Sequence, residues 1–513
     1  MNANLFAALR AAFPADLARP AITTDDGLVY SWADLDHGSA RFANLLGSLG
    51  LPDGSRIAVQ VEKSVEAALL YLGILRAGHV ILPLNTAYQS AEIGYFIGDA
   101  QPAIVVCAPG NAAWVGAIAA AAGTRHLFTL GDDRTGTLID AAAAHSNQHE
   151  CAPRNADEMA AILYTSGTTG RSKGAMLSHG NLLSNAAVLK DYWRFTGNDV
   201  LIHALPIFHV HGLFVALHAA WLSGSPMIWF NRFDPAGVIA RLPQATVFMG
   251  VPTMYVRMLA EPALTADAAR TMRLFISGSA PLLSETFSDW QQRTGHTILE
   301  RYGMTETAML TSNPCDPALG ERRAGTVGFP LPGVGVRVCD EADAPVPAAE
   351  IGGIQVRGPN VFGGYWQMPE KTAEEFTADG WFRTGDVGKI DEDGYVTIVG
   401  RSKDLIISGG YNVYPAEIES YLNDMPSVAE SAVIGVPHVD FGEVGVAVVI
   451  VRAGAVFDPV AALASLKAEM ANFKVPKQCF VLDELPRNAM GKVQKAALRE
   501  QFKDLFARIQ SGN

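Results

Sequence analysis

Between residues 56 and 130 short β-branched runs alternate with helix-patterned segments. "RIAVQV" (56–61) is followed by "SVEAALLYLGILRAG" (64–78), and "VILPLN" (80–85) comes next. "AIVVCA" (103–108), an Ala-rich stretch (112–122) and "HLFTL" (126–130) repeat the pattern. Such alternation predicts parallel strands covered by helices, with both sheet faces buried. The fold class expected is therefore α/β. Sheets of this kind collect ligands at the carboxyl ends of their strands. "AAILYTS" (160–166) reads as another strand and "HGNLLSNAAVLKDYW" (179–193) as a helix, so a strand–loop–helix unit is predicted across 160–193. "ATVFMGVP" (245–252), "RLFISGSAPL" (273–282) and "HTILERYGMTET" (296–307) each read as a strand running into a polar loop.

From about 323 to 400 the texture changes to short strands punctuated by Gly and Pro, which predicts a small β subdomain. Residues 401–513 read as a separate α+β domain, after a large N-terminal domain at 1–400. The chain has 513 residues, 49% hydrophobic and 18% charged, enough for sizeable cores. Its net charge of −13 argues against a sequence-independent nucleic-acid binder. Any anion site must be made locally, by loops and a few cations. Five Cys stand at 107, 151, 315, 339 and 479 without a C-x-x-C pair, so reduced thiols in a cytoplasmic protein are expected. No secretory signal and no membrane-spanning run are expected.

The loop "YTSGTTGRSKG" (164–174) combines Gly, hydroxyl side chains and two cations, Arg171 and Lys173. Glycine lets backbone N–H groups turn inward, and Ser and Thr add donors, so the composition suits a nucleotide phosphate. Its spacing does not fit G-x-x-x-x-G-K-[ST]. It is either a phosphate loop of another kind or a polar turn. His203, His209 and His211 fall within nine residues, but with no neighbouring Cys, Asp or Glu a metal set is not expected there.

"YTSGTTGRSKG", "SGSAPL" (277–282), "RYGMTET" (301–307), "WFRTGD" (381–386), "GRSKDLIISGG" (400–410) and "PRNAMGKVQK" (486–495) occur in this order. Together they resemble the signature series of the adenylate-forming acyl-CoA synthetases, and within them the malonyl-CoA synthetases. The resemblance implies a mobile C-terminal domain and a reaction in two halves. A carboxylate attacks Mg·ATP to give an acyl-adenylate and pyrophosphate, and the thiol of coenzyme A then takes the acyl group. It implies that Lys492 enters the site for the first half-reaction and that Glu306 binds Mg²⁺, a hard cation suited to carboxylate oxygen. Thr305 would donate to the α-phosphate. Thr165, Ser166, Gly167, Thr168, Thr169, Gly170 and Lys173 would wrap the β- and γ-phosphates. Tyr302 would stack on adenine, with Ser279, Ala280 and Pro281 along its other side and Glu300, Gly303 and Met304 in the same ATP site. Asp386 would accept from the ribose hydroxyls and Arg401 would reach the ribose–phosphate edge. His209 would stand between acyl pocket and phosphates. Lys403 takes the hinge position, and Ser408, Gly409 and Gly410 would line the path of coenzyme A.

Arg301 sharpens the choice of acid. Many relatives carry a small residue before this Tyr, bordering the acyl pocket. An unpaired guanidinium does not suit a pocket for a fatty or aryl tail, because burying that charge is costly. It suits a substrate with a second carboxylate, gripped bidentately, with Gly278 and Ser279 alongside. Malonate is expected, with methylmalonate tolerated. The alternatives are another short, aryl or medium-chain acid, a stand-alone adenylation enzyme loading a carrier protein, or a nucleotide sensor on the same fold. A further reading makes Arg301 the partner of a protein carboxylate such as Glu300, or points it outward. Apart from small-molecule substrates, the partner expected is an acetyltransferase modifying Lys492, since neutralising that lysine would stop adenylation.

Overall fold

The computed structural model describes residues 2–165, 172–409, 411–438, 441–488 and 491–506. The alternation in the first part of the chain forms a seven-stranded sheet. Strands Arg56–Gln60, Val80–Pro83, Ile104–Cys107 and His126–Thr129 run parallel, as expected, and Met159–Thr165 joins parallel to Val80–Pro83. A nine-stranded sheet carries Leu201–His203, Met227–Trp229, Val247–Gly250, Leu274–Ser277 and Ile298–Met304, parallel through this part. Alternate residues of each strand enter different cores. Ile57, Val59, Met249 and Ile276 meet in one core shared by the two sheets, whereas Ala58 and Phe248 face outer cores. A period of two with both faces buried is what a helix-covered parallel sheet requires.

Helix Val65–Arg76 belongs to the shared core and is buried at every position except Glu66. Ser64 caps it, accepting from the Ala67 N–H at 3.1 Å. Gly73 lets helix Trp32–Ser48 approach closely, since a Cβ there would stand 2.6 Å from Phe42 Cβ. Lys63, also buried, ties the two sheets together. Its ammonium donates to the His203 carbonyl at 2.8 Å and the Phe230 carbonyl at 2.6 Å, and lies 4.2 Å from the centre of the Trp229 ring.

Two expectations change. The segment 160–193 is not strand–loop–helix. Met159–Thr165 and Lys173–Ser178 pair antiparallel, with Thr165 opposite Lys173, and helix His179–Tyr192 begins only after the second strand. The Gly-rich stretch therefore joins a hairpin and does not open onto a helix N-terminus. The strand-then-loop reading of 296–307 also shifts. Arg301, Tyr302, Gly303 and Met304 lie on the strand, which turns back at Thr305–Thr307 into antiparallel Ala308–Ser312.

The later β texture divides. Phe329–Pro330 edges the nine-stranded sheet, while Gly335–Cys339, Gly352–Arg357, Phe382–Ile390 and Val396–Arg401 form a four-stranded antiparallel sheet. Beyond Arg401 a smaller α+β unit is built on the long hairpin Val428–His438 and Gly442–Val451, with its own cores on either face. Among the described residues no helix is long and apolar enough to cross a membrane.

Replacing Lys63 by Met would leave the buried Phe230 carbonyl without its donor, while the His203 carbonyl keeps the Phe230 N–H at 3.1 Å. Such a loss costs about 1–3 kcal/mol. Lys63→Met should therefore lower the apparent melting temperature by several degrees, followed by circular dichroism; an unchanged value would show that the tie is dispensable.

Candidate active site

The carboxyl ends of the nine-stranded sheet gather the polar loops in one place. Leu201–His203 leads to His209 and His211, Val247–Gly250 to Thr253, Leu274–Ser277 to Gly278–Leu282, and Ile298–Met304 itself carries Arg301 and Tyr302. Arg301 follows Leu299 in the strand alternation, toward the core shared by the sheets, whereas Glu300 follows Ile298 to the opposite face. Adjacent strand residues cannot pair across the sheet, and no ion pair joins Arg301 to a carboxylate among the described residues. The guanidinium is 3% exposed, and its Nε and Nη2 have no protein partner. Burial pushes its pKa down to about 9, so it is still charged at neutral pH. Gly278 makes room for it, because a Cβ there would lie 2.5 Å from Arg301 Cζ.

The histidines around Arg301 differ in role. His203 is fixed: its Nε2 lies 3.0 Å from the Gly212 carbonyl and its ring stacks on Trp229 at 4.9 Å. His211 Nδ1 is 3.4 Å from Ser279 Oγ, while its Nε2 has no partner. Ser279 adopts the left-handed backbone (φ 73°), uncommon outside Gly and often found at binding sites. His209 Nδ1 also lacks a partner. Burial, with Arg301 and Lys492 nearby, depresses the His209 pKa to about 4, so the imidazole is neutral at neutral pH. The groups left without partners point to an anionic or hydrogen-bonding ligand beside Arg301.

The four-stranded sheet supplies the next layer. Asp386 and Arg401 face each other across antiparallel strands, and Arg401 Nε lies 2.6 Å from Asp386 Oδ1. Tyr302 donates its hydroxyl to the other oxygen of Asp386. Lys492 comes from the C-terminal unit on a tight turn. Its N–H donates to Asn488 Oδ1 at 3.0 Å, and a Cβ at Gly491 (φ 74°) would stand 3.3 Å from Thr253 Oγ1. Lys492 is exposed, yet desolvation by the surrounding protein, followed by the charge of Arg401, lowers its pKa.

Glu306 is 5% exposed. Its Oε1 accepts from the Tyr365 hydroxyl at 3.0 Å and the Thr165 hydroxyl at 3.5 Å, and burial raises its pKa. Thr305 precedes it in the same strand-to-strand turn. A carboxylate with oxygen capacity to spare, next to a phosphate-type loop, fits Mg²⁺, which takes few protein ligands. Lys173 lies 4.1 Å from the centre of the Tyr365 ring.

Of the other predicted residues, Gly303 and Met304 continue the Tyr302 strand, and Ala280 and Pro281 lie in the loop after Gly278. Glu300 is buried, and its Oε1 has no hydrogen-bond partner among the described residues. Lys403 is exposed on the short turn Ser402–Asp404, just after the Asp386–Arg401 pair. Ser408 and Gly409 make their described backbone contacts inside the C-terminal sheet, to Tyr411, Gly442 and Phe441. Ser166, Gly167, Thr168, Thr169, Gly170 and Gly410 lie outside the described residues. Tyr365 escaped the sequence reading. It sits in a two-residue edge strand whose only signal is pairing with Lys173–Ser178, a long-range contact.

Residues 10–366 match the model of the AMP-binding enzymes, and residues 417–492 that of the AMP-binding enzyme C-terminal domain. The chain belongs to the AMP-binding enzyme family. It is 35% identical to a malonate–CoA ligase of Arabidopsis thaliana, over 93% of this chain and 86% of the relative. It is also 36% identical to a feruloyl-CoA synthase of Amycolatopsis, over 93% and 94%. Among solved structures, ATP-bound MatB from Rhodopseudomonas palustris superposes with a TM-score of 0.96 at 56% identity, covering 99% of this chain and 100% of that one. This AMP-binding enzyme thus has relatives of similar identity with different acids in their names, so the acid has to be argued from the site.

Burial holds the Glu300 carboxyl up at about 8. From the ordinary value of 4.5 up to about 8 the folded state keeps a proton that the unfolded chain has lost. Stability from this group is complete below pH 4.5 and is lost as pH rises toward 8, at about 1.4 kcal/mol per unit where the shift is fully expressed. Thermal melts of Glu300→Gln from pH 5 to 9 should show a flatter alkaline decline than the parent. Parallel profiles would mean that Glu300 ionises normally.

Proposed function

We propose that this enzyme joins malonate to coenzyme A through a malonyl-adenylate, consuming ATP and releasing AMP and pyrophosphate. The observation that carries the choice of acid is the buried Arg301 guanidinium with no protein carboxylate beside it. A substrate carboxylate would satisfy its Nε and Nη2 as a bidentate pair. A monocarboxylic tail would leave the charge buried and unpaired, at a cost of several kcal/mol. Methylmalonate presents the same second carboxylate and should be accepted less well.

With the distal carboxylate on Arg301, the other end of the acid lies toward His209 and Lys492. Neutral His209 offers a hydrogen bond without adding charge. Lys492 offsets the repulsion between the attacking carboxylate and the α-phosphate, the main barrier to joining two anions. Thr305 donates to the same phosphate. Asp386 accepts from the ribose hydroxyls, Arg401 faces the ribose–phosphate edge, and Tyr302 flanks adenine opposite the Gly278–Leu282 loop. The Gly-rich loop and Lys173 hold the outer phosphates. Mg²⁺ held by Glu306 would shield the polyphosphate charge.

Thioester formation needs a thiol where the lysine stood. We assign that exchange to a rotation of residues 401–513 about Lys403, withdrawing Lys492 and bringing Ser408, Gly409 and Gly410 to the coenzyme A path. Acetylation of Lys492 by a modifying enzyme would remove its charge and block the first half-reaction. Five unpaired cysteines support a reducing compartment, the cytoplasm.

The test is pyrophosphate release with Mg·ATP and coenzyme A over malonate, methylmalonate, succinate, acetate, octanoate and benzoate. Malonate should lead. Arg301→Ala should lower kcat/KM for malonate at least about 100-fold, as expected when a buried charge pair loses one partner. A monocarboxylate that leads and ignores the substitution would sink the choice of acid while leaving adenylate chemistry in place.

A further inference from the structure

Lys173 starts a strand directly after the Gly-rich loop, and its ammonium is already engaged. Nζ lies 3.1 Å from Glu375 Oε1 and faces the Tyr365 ring. The same Glu375 oxygen is 3.6 Å from Lys371 Nζ, which also reaches Glu374 at 2.7 Å. Glu375 ends the helix Pro369–Glu375, whose start packs against the Tyr365 edge strand, where Thr372 Oγ1 accepts from the Tyr365 N–H at 2.9 Å. Tyr365 in turn donates to Glu306. One arm, residues 365–375, thus touches both the phosphate-side lysine and the metal-side carboxylate.

We propose that Glu375 is a placeholder for the ATP polyphosphate. It holds the Lys173 ammonium between turnovers, yields it when ATP binds, and takes it back as pyrophosphate leaves. The proposal rests on the adenylation reading above. Three features favour exchange over a fixed structural pair. Lys173 and Glu375 side chains are 13% and 24% exposed, so the contact is shielded from full screening yet reachable by an incoming anion. Lys371 already shares the carboxylate oxygen, so a displaced Glu375 keeps a cation and is not stranded beside the phosphates. The Tyr365 ring keeps the ammonium at the mouth of the site while its partner changes. A carboxylate competing for the same lysine weakens ATP binding, and it weakens pyrophosphate binding equally. That trade favours product departure. Glu375 is therefore a positioning residue: it acts on substrate only through Lys173.

The full chain is titrated calorimetrically with Mg·ATP, and separately with Mg·pyrophosphate, with no acid present. Glu375→Gln should bind both about five-fold more tightly, the upper range for a partly exposed ion pair. In turnover it should show a lower KM for ATP and inhibition by pyrophosphate at lower concentration. To separate release of Lys173 from a through-space effect of the lost negative charge, the deciding comparison is made in Lys173→Ala, where adding Glu375→Gln should change neither affinity. Glu375→Asp, which keeps the charge but shortens the reach, should fall between parent and Gln. Unchanged or weaker binding in Glu375→Gln overturns the placeholder, as does a gain that persists without Lys173. If the parent binds Mg·ATP normally in those cases, the adenylation reading stands. If the parent binds no Mg·ATP, both fall.

Discussion

A charge buried without a partner is the constraint around which this site is arranged. Arg301 reaches its place because strand alternation sends it to the shared core and sends Glu300 to the other face. Desolvating a guanidinium costs several kcal/mol unless something anionic joins it. The surrounding chain does not supply that anion. Instead it opens space at Gly278, twists Ser279 into the left-handed region and leaves nitrogens of His209 and His211 without partners. The strained backbone and the unpaired nitrogens each cost some stability, and a ligand could satisfy only the latter. A fold carrying such a site must be stabilised elsewhere. Here the two-sheet core with its fully buried helix, and the Lys63 tie between the sheets, carry that load.

Much of this architecture is visible in the sequence because it follows from local patterns. The strands and helices read between 56 and 130 match observed elements to within about two residues, since both faces of the parallel sheet demand apolar side chains, but helix Ser90–Ala100 was not read. The loops after the strands at 250 and 277 were legible because the α/β class places ligands there. The hairpin at 159–178 was not. "KGAMLS" is short and carries Lys and Gly, and only its pairing with Met159–Thr165 makes it a strand. The turn at 305–307 was missed for a related reason: the strand continues through Gly303 because it changes partner, from Leu274–Ser277 to Ala308–Ser312.

Site residues show the same division. Arg301 stood out because its chemistry conflicts with an apolar pocket, a conflict readable from one residue type in context. Asp386 and Arg401, 15 positions apart, are joined by antiparallel register, which a sequence shows only through its motifs. Tyr365, Glu375 and Thr253 gave no signal at all. They contact the site through tertiary packing, and an edge strand or a helix end can hold almost any residue without disturbing the local pattern. The part of a site that chemistry demands is legible, and the part that geometry merely permits is not.

The cations of the site fall into two kinds, and the difference bears on how a chain of net charge −13 can handle anions. Lys173 and Arg401 are paired, with Glu375 and Asp386. Arg301 has no protein carboxylate among the described residues, and Lys492 is exposed with its pKa depressed. On the reading proposed above, the paired cations would meet a polyphosphate by exchanging one anion for another. Arg301 has no carboxylate to exchange among the described residues, so a second carboxylate on the acid would meet a charge that no protein anion has quenched. Discrimination among acids would then concentrate at Arg301, with affinity for the nucleotide moderated at the paired end. A site with all four cations unpaired would hold ATP and pyrophosphate more tightly and release pyrophosphate more slowly. One with all four paired would have no electrostatic reason to prefer a dicarboxylate.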